Sequence, residues 1–471
     1  MLAKPNRMLS AGAAALALCL AAGPLAAAPA AAPPSWEVPV AVKKLGNGLT
    51  VVVSEDHSSP VFGISVVYGV GFRLEPRGRT GFAHLFEHMM FQGTPVAPKG
   101  VFDRVIEGGG GLNNGSTRLD YTNYIATAPV SALEPILWLE ADRMRTLDFS
   151  PANLKNQQEV VKEEVRVNVQ NRPYGAFYWI DLAGLAFDRW ENAHDGYGSF
   201  ADLDAATLED VEAFHRTYYA PNNAVLALAG DLDPARVFEL AEKYFAALPA
   251  QPPPPRPELV EPRNPEERTL VQSDAFAAVP GLAIGWKTPD PGSPDYVPLA
   301  VLAEVLLGGE ASRLYQRLVK GDELALELAG GVNWPLGTYL TNGGTTLLVV
   351  LAIYKPSTDA ASFVAKVQEE IARVARDGVA QEDLRRAKSK MLADLYGQLE
   401  VAIDRADLVG IRQLLTGDAA SINRVPAAVE AVSSADLRRV AATWLTAEGR
   451  SWIDRRPVEA ASDAPAPGSG D

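Results

Sequence analysis

The sequence predicts an α+β fold built from two homologous repeats, each a mixed or antiparallel β-sheet packed with several α-helices. Three observations predict it. Strand and helix patterns are interspersed through both halves of the 471-residue chain, and 47% hydrophobic with 21% charged residues is ordinary globular composition. Strands and helices recur in a similar order on either side of a proline-rich stretch, Gln251-Pro252 to Pro257, where consecutive prolines forbid helix and favour extended chain. The closing corners also correspond: Tyr218-Tyr219-Ala220-Pro221-Asn222-Asn223 precedes one final strand, and Trp444-Leu445-Thr446-Ala447-Glu448-Gly449 precedes the other.

The first thirty residues read as a secretory signal peptide. Lys4 and Arg7 precede the apolar run Leu9 to Ala22, and Ala28-Pro29-Ala30 offers small residues for cleavage. About 14 apolar residues are too few to span a bilayer, so no stable membrane span is expected after cleavage. Cys19 follows the bulky Leu18, which makes lipoprotein anchoring the lesser alternative, and the mature chain then has no thiol. A periplasmic or secreted location is expected.

The predicted first repeat covers 36–250. A hairpin turns at Asn47-Gly48 and a strand runs from Val61 to Tyr68, followed by helices from Gly81 and Gly100 and a strand from Asp120 to Ala128. Helices follow near Ser131, Pro151, Ala176 and Thr207, then a strand from Ala224 to Ala229 and a helix opened by Asp233-Pro234. After a linker at 251–262, the second repeat spans 263–456. It has an extended stretch at Gly281 to Lys287, helices near Tyr296 and Ser312, and a strand from Thr345 to Tyr354. Helices near Ala360, Gln381, Ile403 and Ser434 and a short strand at Ser451 to Ile453 complete it. Residues 457–471 are rich in Pro, Ala, Gly and Ser and are expected to be disordered.

Lys and Arg number 43 against 58 Asp and Glu, a net charge of −15, so no phosphate-neutralising face is advertised and nucleic-acid binding is not expected. Five histidines occur, two of them in His84-Leu85-Phe86-Glu87-His88, the inverted zincin pattern H-x-x-E-H. At about 100° per residue, His84, Glu87 and His88 share one helix face, while Phe82, Leu85, Phe86, Met89 and Met90 fill the other. Two imidazoles one turn apart reach a single zinc ion at about 2.0 to 2.1 Å and leave Glu87 beside the attacking water. A catalytic site needs a third protein ligand. His57, His194, His215 and the acids of the Gln157 to Val165 stretch are the candidates. Periodicity does not choose between Glu163 and Glu164. Taken singly, His57, His194 and His215 read as ordinary surface histidines.

These residues resemble the pitrilysin-like zinc peptidases, family M16, in the processing-peptidase-like, zinc-bearing subunit type. The resemblance takes in Gly81 to Phe91 with Gly93-Thr94, Val160 to Glu164, Asn171-Arg172-Pro173-Tyr174-Gly175, and Pro221-Asn222-Asn223-Ala224 ahead of Ala229-Gly230-Asp231. Gly308-Gly309 and Ser312-Arg313-Leu314 extend it into the second repeat. It implies Glu164 as third ligand to one Zn2+ per chain, Glu87 as general base, and repeats enclosing a chamber that admits peptides or unfolded segments. Gln157 stands where the family often has a glutamate supporting the site. The segment Gly108 to Thr117 resembles the one entering the family's substrate-binding edge strand, with Asn114 as a substrate contact.

One departure matters more. Active relatives carry an Arg and, seven residues later, a Tyr in the second repeat, and the corresponding positions here are Val319 and Leu326. The expected function is therefore an exported zinc metalloendopeptidase whose heterodimer partner, an M16 relative, supplies that pair. Two alternatives stand beside it: a non-catalytic scaffold or assembly subunit of the same fold, and a lone peptidase that uses Arg313 or Tyr315.

Overall fold

The computed structural model describes residues 36–458. The expected signal peptide, Cys19 and all but the first two residues of the expected tail lie outside them. Of the N-terminal unit ending at Glu37 only Trp36 and Glu37 are described; the described residues from Val38 to Val458 belong to one compact unit.

Eleven strands are described. The first half contributes β1 (Ala41–Lys44), β2 (Thr50–Glu55), β3 (Val61–Tyr68), β4 (Leu112–Thr117), β5 (Thr122–Pro129) and β6 (Ala224–Gly230). The second contributes β7 (Arg268–Asp274), β8 (Gly281–Lys287), β9 (Ala325–Val332), β10 (Leu347–Tyr354) and β11 (Arg450–Pro457). The sheets run β1-β2-β6-β3-β5-β4 and β7-β11-β8-β10-β9. In the first, β2 pairs with β6 in parallel; in the second, β7 pairs with β11 in parallel; every other neighbour is antiparallel. Matching β2, β6, β3, β5 and β4 to β7, β11, β8, β10 and β9 therefore reproduces both order and direction. Only β1 lacks a counterpart. This shared topology is the physical form of the duplication legible in the sequence.

Three local readings are corrected. The helix expected near Ala176 starts at Asp181, because 173–180 forms turns in which Tyr174 and Gly175 both take positive φ. The strands β7 and β9 were not foreseen. Three successive residues of β7, Thr269, Leu270 and Val271, are exposed, so burial does not alternate there, and β9 contains Gly330-Gly331, which reads as a turn.

The repeats interlock instead of sitting as separate beads. The second-half helix Ala402–Thr416 lies on β3 and β6, covering the face of the first sheet opposite the helices Phe82–Met89 and Leu133–Arg145. Both faces of β6 are thus buried, which explains its uninterrupted apolar run. At Gly63 a Cβ would lie 2.3 Å from the Ile403 Cα, a backbone neighbour with no side chain to swing aside. Asp407 on that helix accepts hydrogen bonds from Ser65 (2.7 Å) and Asn123 (2.6 Å). Buried Arg73 pairs with Asp120 at 2.9 Å and also donates to the Thr345 carbonyl, while Asp120 accepts from Gly343 N at 2.7 Å.

Gly63→Ala is accordingly expected to destabilise the protein by about 3 kcal/mol, the upper part of the usual range for overpacking, because sheet or helix must shift. Urea unfolding measures it, and a midpoint equal to the parent's would contradict this account of the interface.

Candidate metal centre

The helix Phe82–Met89 starts at Gly81, whose φ of 82° is left-handed and where a Cβ would sit 2.5 Å from the Tyr197 carbonyl oxygen. Its first turn is capped from a distance. The buried Glu75 carboxylate accepts from Gly81 N (3.0 Å) and Ala83 N (2.8 Å), which satisfies two orphan donors and places negative charge at the positive end of the helix. His194 Nε2 lies 3.1 Å from the same carboxylate, and its Nδ1 donates to the Trp190 carbonyl at 2.9 Å. The imidazole also stacks on the Trp190 ring, centroids 4.0 Å apart.

The apolar side of this helix packs Phe82 and Phe86 against Phe214, and Phe86 against Tyr219. The other side turns His84, Glu87 and His88 toward the helix Pro151–Val165, which Ser150 caps by accepting from Asn153 N at 3.3 Å. Burial of Leu154, Val161 and Val165 orients that helix so that Glu164 faces the histidines. The neighbouring Glu163 points outward and pairs with Arg166 at 3.0 Å.

His84 Nε2 and His88 Nε2 are 3.3 Å apart, and Glu164 Oε2 lies 3.5 Å from the first and 3.3 Å from the second. A tetrahedral ion with bonds of about 2.0 to 2.1 Å requires donors about 3.3 to 3.4 Å apart, so the three atoms fit one face of zinc's coordination tetrahedron. Among the described residues this is the one group of three His, Cys, Asp or Glu side chains close enough to share an ion. The protonation states suit it. Burial, with the nearby His88, pulls the His84 pKa down to about 4, leaving a neutral imidazole. The hydrogen bond from His88 holds the Glu164 carboxyl below its ordinary range against the cost of burial.

Glu87 stays off the ligand set. Its Oε2 accepts from Thr117 Oγ1 at 2.6 Å, and burial raises its pKa despite that hydrogen bond. β4 passes close because Gly115 has no side chain: a Cβ there would come within 3.0 Å of Glu87 Cγ. β4 is also the free edge of the first sheet. The open pocket beside it, about 290 Å³, is lined by His84, Glu87 and Glu164, by Trp179 and Tyr197, and by Pro335 and Leu336 from the second half. A larger cavity of about 630 Å³ lies wholly in the second half and contains no histidine.

The other sequence candidates take different places. Asn114 is exposed on β4, its Oδ1 accepting from Gly115 N at 2.9 Å. Gln157 is buried two turns before Glu164 and makes no hydrogen bond to His84, Glu87 or His88 among the described residues. His57 is an exposed partner of Asp231 at 2.6 Å. The surface reading of His194 and His215 is corrected. The His194 side chain is only 4% exposed, covered against Glu75, and His215 is buried beneath Phe86 with its Nε2 3.3 Å from the Arg143 carbonyl. In the second half Val319 packs on the core, Leu326 is half exposed on β9, and Arg313 is held by Glu370 at 2.6 Å. Thr117, Tyr197 and Glu75 escaped the sequence reading. Thr117 alone left a signal, two residues past Gly115 on the same strand face.

A pH effect follows from the cap. Burial raises the Glu75 pKa, and its carboxylate outweighs burial at His194 and holds that pKa above 6.5. Both groups bind protons more tightly folded than unfolded, so their contribution to stability is present at low pH and falls as pH rises through the raised values. The urea midpoint is expected to drop between pH 6 and pH 9 in the parent and to drop less in His194→Gln. Equal slopes would contradict the pairing.

Comparison with known proteins gives concordant findings. Residues 50–176 match the family described as Insulinase (Peptidase family M16), and residues 205–391 match the one described as Peptidase M16 inactive domain. The chain is similar to the zinc protease PqqE of Helicobacter pylori, 30% identical over 367 residues covering 77% of this chain and 81% of that one. It is also similar to the mitochondrial-processing peptidase subunit beta of Lentinula edodes, 24% identical over 86% of this chain and 87% of the relative. Among solved structures, a protease from Helicobacter pylori superposes with a TM-score of 0.83 at 26% identity, covering 90% of this chain and all of that one.

Proposed function

The chain belongs to the M16 peptidase family, and from that premise we propose that it is an exported zinc-dependent endopeptidase acting on peptides or unfolded segments. The observation that carries this reading is the spacing of three donors at one face of a tetrahedron with a further, unliganded carboxylate, Glu87, beside them. His84, His88 and Glu164 hold one zinc ion per chain. Zinc held there supplies Lewis acidity, acidifying water and polarising a peptide carbonyl. Glu87 takes the proton of the attacking water and passes it to the leaving amine. Thr117 fixes the carboxylate that does this, and the free edge of β4 holds the substrate extended by backbone pairing.

The second half has no such group. Its helix Tyr296–Leu307, the first after β8, presents Glu304 but no histidine, and the matching family description there is an inactive domain. With Val319 and Leu326 where active relatives carry Arg and Tyr, the competent form is a heterodimer with an Arg/Tyr-bearing M16 relative. Cleavage of an unfolded peptide by the zinc-loaded chain, alone and with such a relative, tests this. Cleavage only by the pair is expected; full activity of the lone chain would refute the division of labour.

A further inference from the structure

The pocket beside the metal ligands contains one fixed cation that the mechanism above leaves unused. Arg118 lines it with Glu87, Ser116 and Tyr197, and no other Lys or Arg does. The residue follows β4 directly, and its backbone is locked on both sides: its N–H donates to the Tyr121 carbonyl at 2.8 Å and its carbonyl accepts from Phe72 N at 3.0 Å. Its partly covered guanidinium makes no hydrogen bond or ion pair with another described residue. Arg73, Arg79 and Arg143, by contrast, are committed to Asp120, Asp210 and Glu140. A guanidinium on a rigid backbone, unpaired and facing a cavity, is equipped to take a carboxylate through two parallel N–H donors.

Strand alternation says which part of a substrate reaches it. Gly115 and Thr117 lie against Glu87, whereas Ser116 turns to the opposite face and donates to Asn123, which itself donates to Asp407. Arg118 continues the Ser116 phase, and its charge is felt by Asp407 as well as by Glu87. A peptide paired to the free edge of β4 shows successive side chains alternately to these two faces. When a bond is presented to Glu87, the side chain one position away therefore lies on the Arg118 side.

We propose that Arg118 is a specificity-determining residue that binds a carboxylate side chain of the peptide, one position from the bond presented to Glu87. The pose rests on the peptidase reading above. With zinc bound, the ion's charge balances Glu87 and Glu164, and the guanidinium adds positive charge at one place beside them, so the preference is positional and is not a general taste for acidic peptides.

The test uses the full chain, zinc-loaded and carrying Glu87→Gln, so that binding is read without turnover. Fluorescent peptides that differ only in Glu, Gln or Lys beside one central bond are titrated by anisotropy. The Glu peptide is expected to bind about tenfold more tightly than the Gln peptide. Arg118→Gln is expected to erase the difference, and Arg118→Glu to reverse it in favour of Lys, with zinc content and circular dichroism unchanged. A folded, zinc-replete Arg118→Glu protein that still prefers the Glu peptide overturns the proposal, as does a Glu87→Gln background that binds all three alike. Cleavage by the heterodimer with Glu87 intact, measured in parallel, reports on the peptidase reading alone.

Discussion

Glu87→Gln is expected to lower peptide turnover by about a thousandfold while leaving zinc bound. The carboxylate makes no ligand contact in the structure, and an amide of the same shape still accepts the Thr117 hydroxyl, so packing and ion should survive. What disappears is the proton acceptor, and removing a positioned general base costs typically about 10² to 10⁴ in rate. The loss should fall on kcat more than on KM, because the proton moves in the transition state and not on binding. Single-turnover kinetics on the zinc-loaded heterodimer measures it. A variant that keeps its turnover would place the general base elsewhere.

Glu164→Ala is expected to weaken zinc affinity by more than about a hundredfold, whereas Glu163→Ala should leave it unchanged. Altering a group that merely supports a ligand already costs about 10 to 100-fold, and Glu164 is placed as a ligand itself. Its neighbour faces solvent and pairs only with Arg166. The thermal stabilisation that zinc confers should vanish with Glu164→Ala, since an ion that no longer binds the native state cannot shift its equilibrium. Chelator competition and melting with and without zinc read both effects. Equal losses in the two variants would mean that the helix is disturbed as a whole.

The pair Glu163 and Glu164 also marks where sequence reasoning stops. His84, Glu87 and His88 were legible because one helix carries all three and the 3.6-residue period places them on one face. The face that Pro151–Val165 turns to them depends on how Leu154, Val161 and Val165 pack, and no local period reports that. The histidines tell the same story. His194 resembles a surface residue until Glu75, 119 positions away in the chain, is brought to 3.1 Å. The duplication was visible in order and corners, yet the interlocking was not, because the contact of Gly63 with Ile403 joins residues far apart in sequence. Strand β9 was hidden by Gly330-Gly331, whose extended pairing with Gly331↔Val349 and Gly330↔Val350 is imposed by the sheet.

The metal is the claim from which the chemistry follows. Elemental analysis of the purified, folded chain tests it most directly. One zinc per chain, retained through gel filtration and lost from Glu164→Ala but not from Glu163→Ala, is the expected result. Folded protein that retains no divalent ion even after incubation with zinc would contradict the account.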